Sequence, residues 1–201
     1  FGWSRRGTYL ACLELAGVPI RDFYLQPTAC SEAYRLGRPR LRELLGDDLS
    51  LPGVATPPIS YGHANSLRAE LRFPEGGEVA HTHPFDSLEA GIEALARPVD
   101  FATTGMAPYY VDFRQQMQAA FPDERVGFGY GLEGPLTTAY ELRGDGFFVD
   151  LLDRPEEAKE FLRLVTASIG EFHRFRCALD GAEPISPDGA GMCDDIASFV
   201  P

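Results

Sequence analysis

The sequence lacks an excess of positive charge and a long hydrophobic run. It has 18 lysines and arginines against 30 aspartates and glutamates, a formal net charge of −12, which argues against a protein that binds nucleic acid through its phosphates. No run approaches the roughly 18 apolar residues that predict a membrane-spanning helix, and the N-terminus has no signal-peptide core. We therefore expect no nucleic-acid partner, no membrane association and a cytoplasmic location.

Closely spaced cysteines are also missing. Cys12, Cys30, Cys177 and Cys193 are far apart and form no C-x-x-C motif, which fits reduced thiols in the cytoplasm better than a disulfide framework. The sequence contains no G-x-S-x-G nucleophile motif either, so it gives no support to Ser/His/Asp catalysis.

What the chain does have is 201 residues with 44% apolar content. That is enough to bury a core as one domain or as part of a larger one. The chain begins with Phe1 rather than methionine and ends at Pro201, soon after a predicted strand. We therefore expect it to be a fragment of a longer polypeptide.

A glycine-rich stretch at 127–144 predicts a strand that leads through a turn into a helix. Gly129, Gly131 and Gly134 have the spacing of a dinucleotide fingerprint, in which backbone N–H groups at a helix N-terminus bind a pyrophosphate. That alternative, an NAD-type nucleotide-binding domain, also needs a strand at 147–152 ending near Asp153. Only nine residues separate Gly134 from Gly144, which predicts a short helix, and Asp153 can instead cap the helix that follows.

Strands and helices alternate along the predicted chain, which favours parallel β/α units. Apolar periodicity and capping residues predict helices at Tyr9–Ala16, at 28–45 with Thr28 as its cap, at 87–96 with Asp86 as its cap, at 108–121 and at 155–179. Strands are predicted at 48–54, 126–131 and 189–194, with a hairpin formed by 70–73 and 78–81. Pro39 should kink or divide the second helix.

In a parallel α/β barrel, catalytic side chains lie on the loops that follow the strands. Three groups of residues have that position: Tyr61, His63 and Asn65; Tyr130, Glu133 and Tyr140; and Cys193, Asp194, Asp195 and Ser198. We predict catalytic roles for Asp194 and Asp195. Substrate-binding roles are predicted for Tyr140, His63, Glu133 and Tyr130.

Each candidate also has an ordinary structural interpretation. His63 can be a loop histidine bonded to backbone, Glu133 can favour the positive end of a helix dipole, and Tyr140 can be a core aromatic. Asp194 and Asp195 repel each other, so a site would neutralise one of them with a proton, a cation or a substrate amine. Alternatively, one of the two caps the helix that follows.

His81 and His83 raise the question of a metal. Two imidazoles separated by one residue project to the same side of an extended strand. No third ligand is adjacent in the sequence, so an exposed polar edge is the ordinary interpretation and no residue is assigned to a metal.

The run at 133–144, Glu-Gly-Pro-Leu-Thr-Thr-Ala-Tyr-Glu-Leu-Arg-Gly, and the segment at 147–157 resemble the mid-barrel signature of the uroporphyrinogen decarboxylase superfamily. Four further segments, at 13–22, 44–48, 69–77 and 189–198, also resemble that superfamily in their order and spacing. The resemblance covers nearly the whole chain and about the first five-eighths of a family domain. It implies an α/β fold, a TIM (β/α)8 barrel that is incomplete here, in a single partial domain.

The superfamily includes uroporphyrinogen decarboxylases and corrinoid-dependent methyltransferases. The decarboxylases carry an arginine-rich segment near the N-terminus, of which residues 3–7, Trp-Ser-Arg-Arg-Gly, are a remnant. They also place a catalytic aspartate on the loop matched to 59–63, and no acid occurs between Asp48 and Glu70. The resemblance therefore favours the methyltransferase branch, with uroporphyrinogen III decarboxylase as the alternative. Tyr140 matches the family's substrate-binding tyrosine, and Asp194 with Asp195 replaces its strand-end acid and serine.

The two branches imply different cofactors. A methyltransferase of this type uses a zinc site of histidine and cysteine ligands, expected outside this chain, and a corrinoid brought by a carrier protein. A decarboxylase binds a tetrapyrrole and needs no cofactor. A third alternative is an inactive truncated barrel whose unpaired strand edges associate with a second copy as a homodimer.

Overall fold

The computed structural model describes residues 6–184 and 192–196. These residues form a helix-rich α/β fold. The helices are α1 (Tyr9–Ala16), α2 (Ile20–Leu25), α3 (Pro27–Leu45), α4 (Gly62–Ser66), α5 (Leu88–Leu95), α6 (Ala107–Ala120), α7 (Pro135–Arg143), α8 (Gly146–Asp153) and α9 (Pro155–Asp180). Strands β1 (Leu71–Arg72) and β2 (Ala80–His81) pair as a two-stranded sheet, which confirms the predicted hairpin.

The chain divides into two compact units. Unit 1 consists of Phe1–Pro58, Phe73–Ala80 and Tyr109–Gly129. Unit 2 consists of Ile59–Arg72, His81–Pro108 and Tyr130–Pro201. Every candidate site residue that the structure describes belongs to unit 2, and Ser198 lies outside the described residues.

The helices of unit 1 begin and end at residues with the expected capping chemistry. Thr8 accepts a hydrogen bond from the Ala11 backbone N–H at 3.2 Å, and Gly17 closes α1 in the left-handed conformation, so the predicted bounds of α1 are confirmed. Helix α3 starts with Pro27 and continues undivided through Pro39. The predicted cap at Thr28 is wrong, because a proline in the first turn already has the required backbone angle.

Helices α1 and α3 pack closely because α3 has a glycine at the contact. A Cβ atom on Gly37 would lie 2.2 Å from the Cys12 carbonyl oxygen. Cys12 forms a buried cluster with Leu41 and Leu49. The absence of a side chain at position 37 therefore sets the distance between the two helices.

Outside the β1–β2 hairpin, extended segments pair in parallel, as predicted, but only at isolated positions. In unit 1, Ala55 bridges Gly127, with hydrogen bonds from Gly127 N–H to the Val54 oxygen at 2.9 Å and from Thr56 N–H to the Gly127 oxygen at 3.0 Å. In unit 2, Ile59 bridges Tyr130. The strands predicted at 48–54 and 126–131 are therefore not regular strands. Their prolines and glycines interrupt the ladder.

Helix α9 is the centre of unit 2 and packs against α5, α7 and α8. Its predicted apolar stripe is confirmed at four positions, where Phe161, Val165, Ile169 and Phe172 are buried. The helix ends at Gly181. The shorter helices α5, α7 and α8 therefore pack against α9, whose buried stripe is the apolar face of an amphipathic helix.

One predicted strand is wrong. Residues 147–152 lie in helix α8, where Phe147 and Asp150 are buried while Val149 and Leu152 are exposed. A spacing of three residues between buried positions is helical, and the apolar composition concealed it. Asp153 is the last residue of α8 and not a helix cap, and Ser87, not Asp86, caps α5.

The first half of the strand predicted at 189–194, residues 189–191, lies outside the described residues. Its described part, Met192 to Asp194, is not a strand.

Candidate functional site

A carboxylate from the C-terminal segment closes the N-terminus of α7. The Asp194 carboxylate accepts hydrogen bonds from the Thr137 backbone N–H at 2.8 Å and from the Thr137 hydroxyl at 3.0 Å. It also accepts one from the Leu136 N–H at 3.4 Å. A Cβ on Gly134 would lie 2.6 Å from Asp194, so a glycine is required where the two segments meet.

This arrangement removes the support for a dinucleotide site. The N–H groups at the start of α7 that would bind a pyrophosphate already bind Asp194. In addition, the strand that the fingerprint requires after its helix is helix α8. The nucleotide-binding alternative is therefore wrong on both counts.

The two aspartates do different things. Asp194 acts as a helix cap, as the alternative interpretation predicted, but it caps α7 and not the helix that follows it in sequence. Its partner Thr137 lies 57 positions earlier in the chain. Asp195 is exposed, and its carboxylate accepts a hydrogen bond from the Cys193 thiol at 3.3 Å. A catalytic role for either residue stays a prediction.

Glu133 lies just before α7 and is partly buried. Burial raises the pKa of Glu133, and the neighbouring charges of Asp195 and Asp194 raise it further, while a hydrogen bond from Ser60 opposes the shift. Its carboxyl group therefore holds a proton more strongly than an exposed glutamate does.

Glu141, in the last turn of α7, is a residue that sequence reasoning missed. It is only 2% exposed, and neither of its carboxyl oxygens has a hydrogen-bond partner. Burial raises the pKa of Glu141 to about 9, and Glu133 adds to the shift. Glu141 is therefore uncharged at neutral pH. The available signal was its position on the same helical face as Thr138 and Leu142, both buried.

An aromatic row runs beside the end of α7. It is formed by Tyr61, His81, His83 and Tyr140, with ring centroids 4.3, 5.2 and 5.5 Å apart in that order. The His83 Nδ1 lies 2.9 Å from the backbone oxygen of Glu141 and joins the row to the helix. Burial lowers the pKa of His81, which favours the neutral ring. Of the predicted substrate-binding residues, Tyr140 thus lies on α7 and Glu133 lies in the segment just before it.

The structure places the other two predicted substrate-binding residues in the core of unit 2. His63 is 1% exposed on α4, packs against Phe101 and Phe172, and shares a hydrogen bond of 2.9 Å with the Ser168 hydroxyl. Burial lowers the pKa of His63 to about 3. The alternative interpretation of His63, a loop histidine bonded only to backbone, is wrong, because its ring bonds to the Ser168 side chain on α9.

Tyr130 is fully buried, and its hydroxyl donates to the Asn65 side-chain oxygen at 2.6 Å. Burial raises the pKa of this hydroxyl to about 12. Contact of His63 or Tyr130 with a substrate stays a prediction.

The described residues do not fit a zinc ion. Within 6–184 and 192–196, no group of three or more histidine, cysteine, aspartate or glutamate side chains is arranged to hold a metal. His81 and His83 are side by side, but two ligands do not complete a zinc site.

One solved structure shares the fold. The chain is similar to a methyltransferase from Methanosarcina mazei, with a TM-score of 0.60 and 18% sequence identity. The match covers 98% of this chain and 56% of that one, so this chain spans a little over half the length of the methyltransferase. At this identity the likeness shows the fold and nothing finer.

No protein-family model matches the sequence, and no curated protein matches it significantly. In the described part of the chain, no helix combines the length and the apolar character needed to cross a membrane.

Proposed function

We propose that the protein is a methyltransferase of the uroporphyrinogen decarboxylase superfamily, built on a partial (β/α)8 barrel, that moves a methyl group between a corrinoid and a thiol. Three findings support this. The fold is similar to that of a methyltransferase over 98% of the chain, the isolated bridges between extended segments are parallel, and the Gly-Pro-Leu-Thr segment of the resemblance opens α7.

The observation that carries the proposal is that four acidic side chains around α7 have different contacts and different environments. Asp194 is bonded to the helix N-terminus, Asp195 accepts from Cys193, and burial keeps Glu141 protonated. Glu133 is the carboxylate that we assign to take up a proton. Its raised pKa makes it a stronger base than an ordinary glutamate.

A thiol acceptor must lose its proton before it can attack a methyl group, because the thiolate is the nucleophile. In the proposed step a Glu133 carboxylate oxygen accepts the thiol proton. The sulfur then forms the new bond to carbon, and the electron pair of the broken bond stays with the methyl donor. Ser60, hydrogen-bonded to Glu133, orients the carboxylate.

The aromatic row suits the flat face of a corrinoid, which would supply the methyl group. Tyr61 and Tyr140, at the two ends of the row, are the residues that would contact it. The described residues do not form a zinc site, so the zinc ligands implied by the resemblance would lie outside them, and the proposed step is written for Glu133 alone. The carrier protein expected from the resemblance remains part of the proposal.

The test is a methyl-transfer assay. The intact protein is incubated with methylcobalamin and a small thiol, the visible spectrum of the corrinoid is followed, and the S-methyl product is detected by mass spectrometry. We expect product with the natural sequence and a rate at least about tenfold lower with Glu133→Gln, which keeps the shape and removes the base.

Asp123→Asn, an exposed acid in unit 1, is the matched control and should leave the rate unchanged. The parallel assay offers uroporphyrinogen and measures CO2 release. Decarboxylation without methyl transfer would overturn the proposal in favour of the decarboxylase, and neither activity in the intact protein would overturn both.

A further inference from the structure

Unit 2 contains a cavity of about 510 Å³ that the proposed function does not use. The polar side chains that line it include Asn65, Arg68, Glu70, Arg97, Asp100 and Thr104. Phe85 forms part of its apolar wall. Such a combination of an apolar wall and a few polar groups is typical of small-molecule sites.

Arg68 has a backbone conformation that disfavours any residue except glycine. Its φ is +83°, and it is the single non-glycine residue with a positive φ among those the structure describes. It follows the end of α4, where the Ala69 N–H donates to the Ala64 oxygen at 3.0 Å and the Arg68 N–H donates to the Asn65 oxygen at 3.1 Å. Glycine is the usual residue at this position after a helix.

The surrounding structure holds Arg68 in that conformation. The Asn65 side-chain amide donates to the Ala69 oxygen at 2.6 Å. The Asn65 side-chain oxygen accepts from the Met106 N–H at 2.7 Å and from the Tyr130 hydroxyl at 2.6 Å. A backbone strained in this way and fixed from several sides is characteristic of functional sites.

The Arg68 guanidinium makes no hydrogen bond and no ion pair with the residues that the structure describes. Arg97, by contrast, pairs with Glu93 at 2.5 Å. The Thr104 hydroxyl oxygen is buried and has no hydrogen-bond partner. A cation and a buried hydroxyl without partners thus line the same cavity.

We propose that this cavity binds a small carboxylate, with Arg68 as its main contact and the Thr104 hydroxyl as a second donor. A guanidinium binds a carboxylate through two parallel hydrogen bonds. Glu70 and Asp100 also line the cavity, so the ligand carries one negative charge and at least one donor group, such as a hydroxyl, for these two acids. A doubly charged phosphate is disfavoured by the same acids.

The experiment is calorimetric titration of the intact protein with glycolate and, separately, with inorganic phosphate. We expect glycolate to bind in the millimolar range or tighter, and Arg68→Gly to weaken that binding at least about tenfold, as loss of a charge-assisted hydrogen bond does. The melting temperature of Arg68→Gly should be equal or higher, because glycine accepts a positive φ without strain. Arg72→Gln, an exposed arginine on β1, is the control and should change neither quantity.

Three results would overturn the proposal. They are no glycolate binding by the natural sequence at millimolar concentration, equal binding by the natural sequence and Arg68→Gly, and a large loss of stability in Arg68→Gly that identifies the arginine as structural. Phosphate binding without glycolate binding would overturn the assignment to carboxylates. None of these readouts depends on methyl transfer.

Discussion

The carboxylate of Asp194 accepts a hydrogen bond from the backbone N–H of Thr137 at 2.8 Å. It thereby caps α7, whose own preceding residue, Gly134, has no side chain for this purpose. A residue near the end of the chain thus completes the helix that carries Tyr140 and Glu141.

We predict that Asp194→Ala lowers the free energy of unfolding by about 0.5 to 2 kcal/mol, the usual cost of losing a helix cap. Denaturant unfolding followed by circular dichroism measures it. Asp195→Ala, next in sequence and exposed, is the control and should change stability much less. Equal effects of the two substitutions would mean that the cap does not stabilise α7.

The second prediction concerns pH. The pKa of Glu141 is about 9 in the folded protein and near 4.5 when unfolded, so the folded state holds the proton over this interval and the unfolded state does not. Stability from this residue is therefore complete below about pH 4.5 and is lost as the pH rises towards 9, by at most about 1.4 kcal/mol per pH unit.

Glu141→Gln should flatten this dependence and be more stable than the natural sequence at about pH 8. Unfolding curves at several pH values give the comparison. Glu156→Gln, an exposed glutamate at the start of α9, serves as the control, and its pH profile should follow that of the natural sequence. A natural protein whose stability does not fall between about pH 5 and 8 would contradict the buried, protonated state.

The third prediction compares two helical glycines. Gly37→Ala places a Cβ 2.2 Å from the Cys12 carbonyl oxygen, so α1 and α3 must separate, and we expect a loss of about 1 to 3 kcal/mol. Gly170→Ala on α9 meets nothing closer than 3.9 Å and should gain about 0.5 to 1 kcal/mol from helix propensity. Thermal unfolding distinguishes them, and two changes of the same sign would show that close packing at Gly37 is not required.

Local patterns predicted much of the secondary structure. The glycines at 17 and 46 marked the ends of α1 and α3, and the stripe of Phe161, Val165, Ile169 and Phe172 identified α9. These features depend on neighbours within a few residues, which a sequence displays directly. Helix α8 was missed because a short apolar run suits a buried strand as well as a helix.

The candidate site was predicted only in part. Tyr140 and Glu133 were identified from their position near the glycine turn, and the structure places them at α7. No local pattern indicated that His63 would pair with Ser168, 105 positions away. Such partners depend on how distant helices pack, and a single sequence does not display that packing.

By itself, the sequence determined the net charge and the helix ends that a local cap or glycine marks, as at both ends of α1, because each follows from local chemistry. Tertiary structure alone decided what the acids around α7 do. The charge of Glu141 depends on its removal from water, and the capping role of Asp194 depends on the N–H groups that it reaches. Burial and long-range hydrogen bonds exist only after the chain has folded.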